Sequence, residues 1–459
     1  MGPRHMNHAK RDMLLVAFLQ AQNCSNYPAS WRHPSTPADF TSTEYYQRIA
    51  HTLEDGKFQL AFFDDRLAMP SSYNGTFVEA VRNGVRVVKL DAATVLTVMG
   101  CATKRLGLGA TYSTTYYEPY HVARVFGTLD LLFHGRAAWN VVTSLNDAEA
   151  ANFGRDEHLS HDSRYDRAEE FMEIVTGHWD TWEDDALVLD KASGIFADPG
   201  KVHQLDYNGT FLRSRGPFTV PRSEQGRPVI IQAGQSGRGR DFAAKWAELV
   251  FVIYPNLTIG KRVYREFKDV VKAAGRDPAS VKVAPAIYVV PGETQTIAEE
   301  KMALIESLAK PMDTLELLSE VLNYDFGSKA EDEPFSSEDL ASMSGLRAII
   351  DRVVEQSGVS NPTVRDFVRF SGRGTVHEFP TFVGTAQAIA DRLEEWMEQE
   401  ACDGFVISAT SVPGTYEDFV RLVVPELQRR GLFRKEYAGA TLRDNLALKR
   451  PVVRSWSIA

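Results

Sequence analysis

Residues Val229–Ala247 read VIIQAGQSGRGRDFAAKWA. An apolar run ends in Ala233-Gly234, small and polar residues follow, and helical spacing sets in at Asp241, so the stretch predicts strand, tight turn and helix. Gly234, Gly237 and Gly239 let the backbone approach a ligand closely. Ser236 offers a hydroxyl at the expected helix start, where the N–H groups of the first turn would face an anion. Arg238 and Arg240 could add charge. An ordinary strand-to-helix loop with a serine cap fits the same residues. A hydrolase elbow does not, because Gly234-Gln235-Ser236-Gly237-Arg238 lacks the second glycine of G-x-S-x-G.

Outward from this unit, short apolar runs alternate with helical patterns. The expected strands are Leu14–Gln20, Gln59–Asp64, Leu106–Thr114, Ala137–Thr143, Val229–Gly234, Leu249–Tyr254, Val281–Val290 and Gly404–Ala409. Helical patterns cover Thr43–Gly56, Ala92–Met99, His121–Leu132 and Arg164–Trp182. Eight strands separated by helices are the pattern of an α/β protein of the (β/α)8 TIM-barrel class, with a doubly wound open sheet as the competing arrangement. The glycine-rich turn follows the fifth strand, whereas barrel phosphate sites commonly follow the seventh and eighth.

Two stretches exceed ordinary loop lengths and read as insertions in a single domain spanning residues 12–459. Residues 184–225 suggest a hairpin flap around Asn208-Gly209 before strand five, and residues 308–382 a longer, mixed excursion before strand eight. Within the latter, DFGSKAEDEPFSSEDL is acidic and loop-like, while Leu346–Gln356 and Asn361–Gly372 look helical. Both insertions are expected to act as lids. Residues 1–11 read as a tail outside the fold.

The 459 residues are 44% hydrophobic and 24% charged, the balance of a soluble globular protein with ample core. A formal charge of −10 without any lysine and arginine cluster disfavours nucleic acid as a partner. The absence of long apolar runs disfavours a membrane span. Three widely spaced cysteines, Cys24, Cys101 and Cys402, fit neither a disulfide framework nor a zinc site, and a reducing cytoplasm suits them best.

Barrel active sites sit at the carboxyl ends of the strands. There the sequence places Asp64-Asp65, of which only one can face the mouth, then Thr111 to Tyr117, Asn140 to Asn146, and the glycine turn. His161, Arg164 and Tyr165 at a helix start could hold a phosphate or polarise an oxygen, although a polar helix start with a surface ion pair is the more common explanation of such residues. His134, His158 and His161 lack metal-ligand spacing, so no metal is expected. Cys24 has no adjacent base. Aromatic residues at strand ends, Phe62 among them, suit a planar ligand or the core.

Taken together, the segments SWRHP, GKFQLAFFDDRLA, LGLGATYSTTYYEPYHVARVFGTLD, GRAAWNVVTSLNDAEAANFG, HDSRYDRAEEF, RGPFTVPRSEQGRPVIIQAGQSGRGRDFAAKWAE and VVPELQRRGLFRKEYAGATLRDNL resemble the bacterial-luciferase-like, flavin-dependent monooxygenases. The resemblance is to the nitrilotriacetate and dibenzothiophene-sulfone monooxygenase subgroup, and the middle segments look closer to the sulfone enzymes. It runs from Ser30 to about Leu446 and is faintest over residues 308–382. It implies a TIM barrel, reduced FMN delivered by a separate NAD(P)H:FMN reductase, O2 as co-substrate, and a homodimer or homotetramer. It places flavin contacts on Asp65, Thr111, Asn140, Thr143, His161, Tyr165 and Ser236, with Tyr165 and Ser236 on the FMN phosphate, and the reading of the glycine turn adds Gly234 to the cofactor site. Phe18, Cys24 and Phe62 fall in the substrate pocket. The alkane-oxidising branch has a histidine after NVVTS where this chain has Leu145, while Cys24 matches a cysteine of that branch.

The chemistry so implied is cofactor-borne: reduced FMN adds O2 to give a C4a-(hydro)peroxide that transfers one oxygen to a small aromatic or heteroatom-bearing compound, with C–S, C–N or C–halogen cleavage. His161 is the candidate catalytic side chain. Hydride transfer with a deazaflavin on the same fold, or flavin binding without catalysis, are the competing readings.

Overall fold

The computed structural model describes residues 12–144, 146–155, 161–234 and 237–456. Eight parallel strands close into a barrel: β1 (Leu14–Leu19), β2 (Leu60–Phe63), β3 (Gly107–Ser113), β4 (Ala137–Val142), β5 (Val229–Gln232), β6 (Leu249–Val252), β7 (Lys282–Pro291) and β8 (Gly404–Ser408). Each pairs with its sequence neighbour, and β8 returns to β1 with Leu14 opposite Gly404 and Phe18 opposite Ser408. The open-sheet arrangement is thereby excluded, and the glycine turn does follow the fifth strand.

Alternation along each strand sorts two cores. Leu14, Val16, Phe18, Leu60, Phe62, Ala138, Val229, Ile231, Leu249, Ala284 and Val406 fill the barrel interior. Leu15, Ala17, Ala61, Phe63, Leu108, Ala110, Trp139, Val141 and Ile230 face outward into the helical layer. The floor of the barrel comes from the far end of the chain, where Leu442, Leu446 and Leu448 join the interior cluster. Gly107 on β3 makes the room: a Cβ there would lie 2.5 Å from Leu442 Cδ1. Arg443, 2% exposed, locks this floor to the base of β6 by a two-pronged ion pair with Glu248 and a bond to the Arg227 carbonyl.

Between residues 184 and 225 lie two short ribbons, Leu187–Asp190 with Ile195–Ala197, and Tyr207–Asn208 with Arg213–Ser214. They do not cover the barrel mouth, contrary to the expectation of a lid. The preceding helix, His161–Trp179, has already carried the chain back to the amino-terminal face of the barrel. There Ser223 and Gln225 bond to Asp130, Arg222 pairs with Asp180, and Arg450 of the terminal segment pairs with Asp184. The second ribbon lies along the same helix, three of its N–H groups donating to Glu170.

The longer excursion packs at the carboxyl-terminal end of the barrel, beside the loops after β1 and β2. It contains helices Pro311–Val321, Ser337–Ser342, Ala348–Ser357 and Val364–Phe370 around a core of its own that includes Leu318, Phe326, Phe335, Val353 and Phe367. The first two were not apparent in the sequence. The helix Pro311–Val321 lacks strong amphipathic spacing because both its sides are covered, and Ser337–Ser342 is a polar turn held by a Ser336–Asp339 capping box. Ion pairs Arg32–Asp313 and Arg66–Glu320, and a bond from Asn74 N–H to Asp325, tie the excursion to the loops after β1 and β2. It returns through a short ninth strand, Thr381–Gly384, which pairs with the last residues of β7.

Candidate active site at the barrel mouth

The carboxyl ends of β2, β3 and β4 converge on a cleft lined by Asp65, Leu67, Thr111, Ser113, Tyr117, Val142, Ser144 and Glu149. Thr111 and Asn140 stand opposite each other across the β3–β4 ladder. Asn140 Nδ2 donates to Thr111 Oγ1 at 2.8 Å, and that hydroxyl donates to the Phe63 carbonyl at 2.9 Å. Asn140 Oδ1 is buried with no partner among the described residues. An amide acceptor in that position costs roughly 1–3 kcal/mol unless a ligand donor meets it.

The two aspartates after β2 take opposite directions. Asp64 pairs with Lys89 at 2.7 Å and accepts from Gln20. Asp65 faces the cleft, where burial pushes its carboxyl up to about 7 against the pull of Lys89 and of the Arg66 N–H. Ser144, at the end of β4, holds a left-handed φ of 50° and meets Ser113 Oγ at 2.9 Å. This is strained backbone of the kind that folds keep at binding sites.

The glycine turn assembles beside this cleft. Helix Gly237–Trp246 begins inside the glycine-rich segment, four residues earlier than the spacing suggested. Tyr165, in the opening turns of helix His161–Trp179, places its hydroxyl 2.7 Å from where a Cβ on Gly239 would stand. The same hydroxyl is bonded to the Thr143 side chain and is raised by burial. Gly234 packs as tightly: a Cβ would lie 2.7 Å from both Gln232 Nε2 and the Gly239 carbonyl. Its own N–H is taken by Gln232, so Gly234 contributes close approach and not a donor. Arg238 pairs outward with Asp166 on an exposed face. Ser236 and Leu145 lie outside the described residues, as does the side chain of His161.

Phe18, Phe62 and Phe251 form an aromatic wall inside the mouth, with ring centroids 5.5 Å apart for Phe18–Phe62 and for Phe18–Phe251. Phe251 was missed in the sequence, although its inward register on β6 matches that of the other two. Cys24 is buried above Gln20, and burial pushes its thiol up to about 12, so it is no nucleophile near neutral pH. Glu149 and Lys89, which shape the polar side, carry no motif that would have singled them out.

Residues 24–403 match the family model described as luciferase-like monooxygenase. The chain is 48% identical over 451 residues to dibenzothiophene-sulfone monooxygenase of Rhodococcus erythropolis (strain XP), covering 96% of this chain and 98% of that protein. It is 39% identical over 429 residues to nitrilotriacetate monooxygenase component A of Aminobacter aminovorans, covering 92% and 93%. Among solved structures, a riboflavin lyase crystallised with modified FMN and riboflavin superposes with a TM-score of 0.87 at 31% identity, covering 97% of this chain and 98% of that one. The protein therefore belongs to the luciferase-like monooxygenase family, and it is a flavin-dependent monooxygenase.

Proposed function

We propose that the protein is the oxygenase of a two-component system that takes FMNH2 from a separate NAD(P)H:FMN reductase and uses O2 to oxidise a small aromatic or heteroatom-bearing compound, with cleavage of a C–S bond. C–N or C–halogen cleavage are the alternatives within this chemistry. The reading rests most heavily on the near full-length 48% identity to a sulfone monooxygenase.

The residues at the mouth fit a flavin. Among the described residues Asn140 Oδ1 is an orphaned acceptor suited to a ring N–H, and Gly234 and Gly239, with the Tyr165 hydroxyl, form a cradle that side chains would fill. In this reading Tyr165 and Ser236 hold the phosphate, Thr143 positions Tyr165, and Thr111 and Asn140 orient the ring system. His161, at the start of the same helix, completes the set. Reduced FMN, when bound, supplies the electrons that activate O2. Asp65, which keeps its proton to near neutrality, can hold or release one at the cleft. Phe18, Phe62 and Phe251 offer stacking faces for substrate, and Cys24 belongs to the same pocket in this reading. The Leu308–Phe382 excursion keeps water from the site.

The test is oxygenation of a panel of aryl sulfones, aminopolycarboxylates, alkanes and chloroaromatics with FMN, NADH and a reductase. Sulfone turnover with release of an oxidised sulfur product supports the reading. Absence of FMN and FMNH2 binding, or activity only under anaerobic conditions with a reduced deazaflavin, overturns it.

A further inference from the structure

Above the aromatic wall the loops after β1 and β2 and the long excursion bury an unusual group of charges. Arg66 pairs with Glu320, and Arg373 with Glu378, in pairs whose side chains are at most 15% exposed. Lys89 pairs with Asp64. Arg86 is different. It is 3% exposed, its only hydrogen bond is to the Asn26 side-chain oxygen, and among the described residues no carboxylate pairs with it. Burial, and then the charges of Arg66 and Arg373, lower its guanidinium to about 10 against the opposing pull of Glu320 and Asp64, and still leave it protonated at neutral pH. Its backbone has a φ of 52°, a left-handed conformation that a non-glycine residue keeps only when its surroundings impose it.

The neighbours of Arg86 point to a ligand. Asn26 Nδ2 and the Tyr288 hydroxyl lie close together, both buried, without an aligned hydrogen bond between them. Tyr288 stands on β7 in the inward register of Ala284 and Ala286, stacked on Phe379 at 5.1 Å. Phe251 packs both with this group and with Phe18 and Phe62, so the apolar wall runs on to Tyr288, whose hydroxyl lies near Asn26 and Arg86. Glu320 and Asp64, the carboxylates that act on Arg86, are already engaged by Arg66 and Lys89; a buried guanidinium with no carboxylate bonded to it is costly to keep, and a ligand anion lowers that cost.

We propose that Arg86, presented by Asn26 at the polar end of the aromatic wall, anchors an anionic group of the organic substrate, a carboxylate, sulfonate or sulfinate, while the apolar body stacks on Phe18, Phe62 and Phe251. The assignment rests on the substrate lying along that wall, as in the proposed function. It selects amphiphilic organic anions over neutral compounds of the same shape.

Calorimetric titration of the full chain with biphenyl-2-carboxylate, biphenyl-2-carboxamide and inorganic sulfate, with and without FMN, tests this. The carboxylate is expected to bind at least about tenfold more tightly than the isosteric amide, in line with a charge-assisted bond. In Arg86→Gln the two should bind within about twofold of each other, and Arg86→Lys should keep part of the preference. If Arg86→Gln does not fold, Asn26→Ala serves instead and should reduce the preference. Equal affinity for carboxylate and amide, no carboxylate binding at millimolar concentration, a preference that survives Arg86→Gln, or sulfate binding as tightly as the carboxylate would each overturn the proposal. FMN titration of the same samples reports on the flavin reading separately. Loss of FMN binding with a persisting carboxylate preference sinks only that reading.

Discussion

Asn140 donates to Thr111 across the β3–β4 ladder and leaves its own carbonyl oxygen buried at the barrel mouth with no partner among the described residues. The bond fixes which end of the amide faces inward, so the site presents an acceptor. Asn140→Ala removes that acceptor and is expected to weaken FMN binding by roughly tenfold or more, read by fluorescence titration. Unchanged affinity would return Asn140 to a purely structural role.

Gly239 and Tyr165 compete for the same space. In Gly239→Ala the new methyl meets the Tyr165 hydroxyl. The expected costs are about 1–2 kcal/mol of stability and a weakened phosphate site. Tyr165→Phe in the same background should restore the stability without restoring FMN affinity, a split that a double-mutant cycle by denaturation and titration resolves.

Asp65 makes stability depend on pH. Its folded carboxyl sits near 7, above its ordinary value of 3.8, so the folded chain binds the proton more tightly than the unfolded chain. Stability is therefore highest below about pH 4 for this group and declines as pH rises towards 7, by a few kcal/mol at most. Urea denaturation at pH 5 and pH 8 should show the decline in the wild type and a smaller one in Asp65→Asn.

Arg443→Met leaves Glu248 buried without its partner at the barrel floor. A loss of about 3–5 kcal/mol is expected in equilibrium unfolding. A loss below 1 kcal/mol would mean that the apolar contacts of Leu442 and Leu446 suffice to close the floor.

The barrel was legible because short, continuously apolar runs alternate with helical spacing from Leu14 to Ser408; seven strands fall within their expected stretches, and β7 runs one residue past its own, to Pro291. The Thr381–Gly384 strand was not, since four residues pairing only with the end of β7 carry no periodicity of their own. The placement of residues 184–225 could not be read either. Whether an insertion covers the top or the base of a barrel depends on which way the preceding helix points, and that becomes plain only once the ring is closed. At the site, strand-end polar residues such as Asp65, Thr111 and Asn140 follow from the general rule for barrels. Glu149, Phe251 and Arg86 reach the mouth through loop paths and register that composition does not encode.

Leu442, Leu446 and Leu448 occupy the barrel interior beside Leu14 and Val229. During synthesis the eight strands are complete once Ser408 has left the ribosome, yet the leucines that close the base of the ring are still to come. Residues 442–448 act as a stopper that arrives after the vessel is built, so a nascent chain paused short of them leaves apolar barrel lining uncovered.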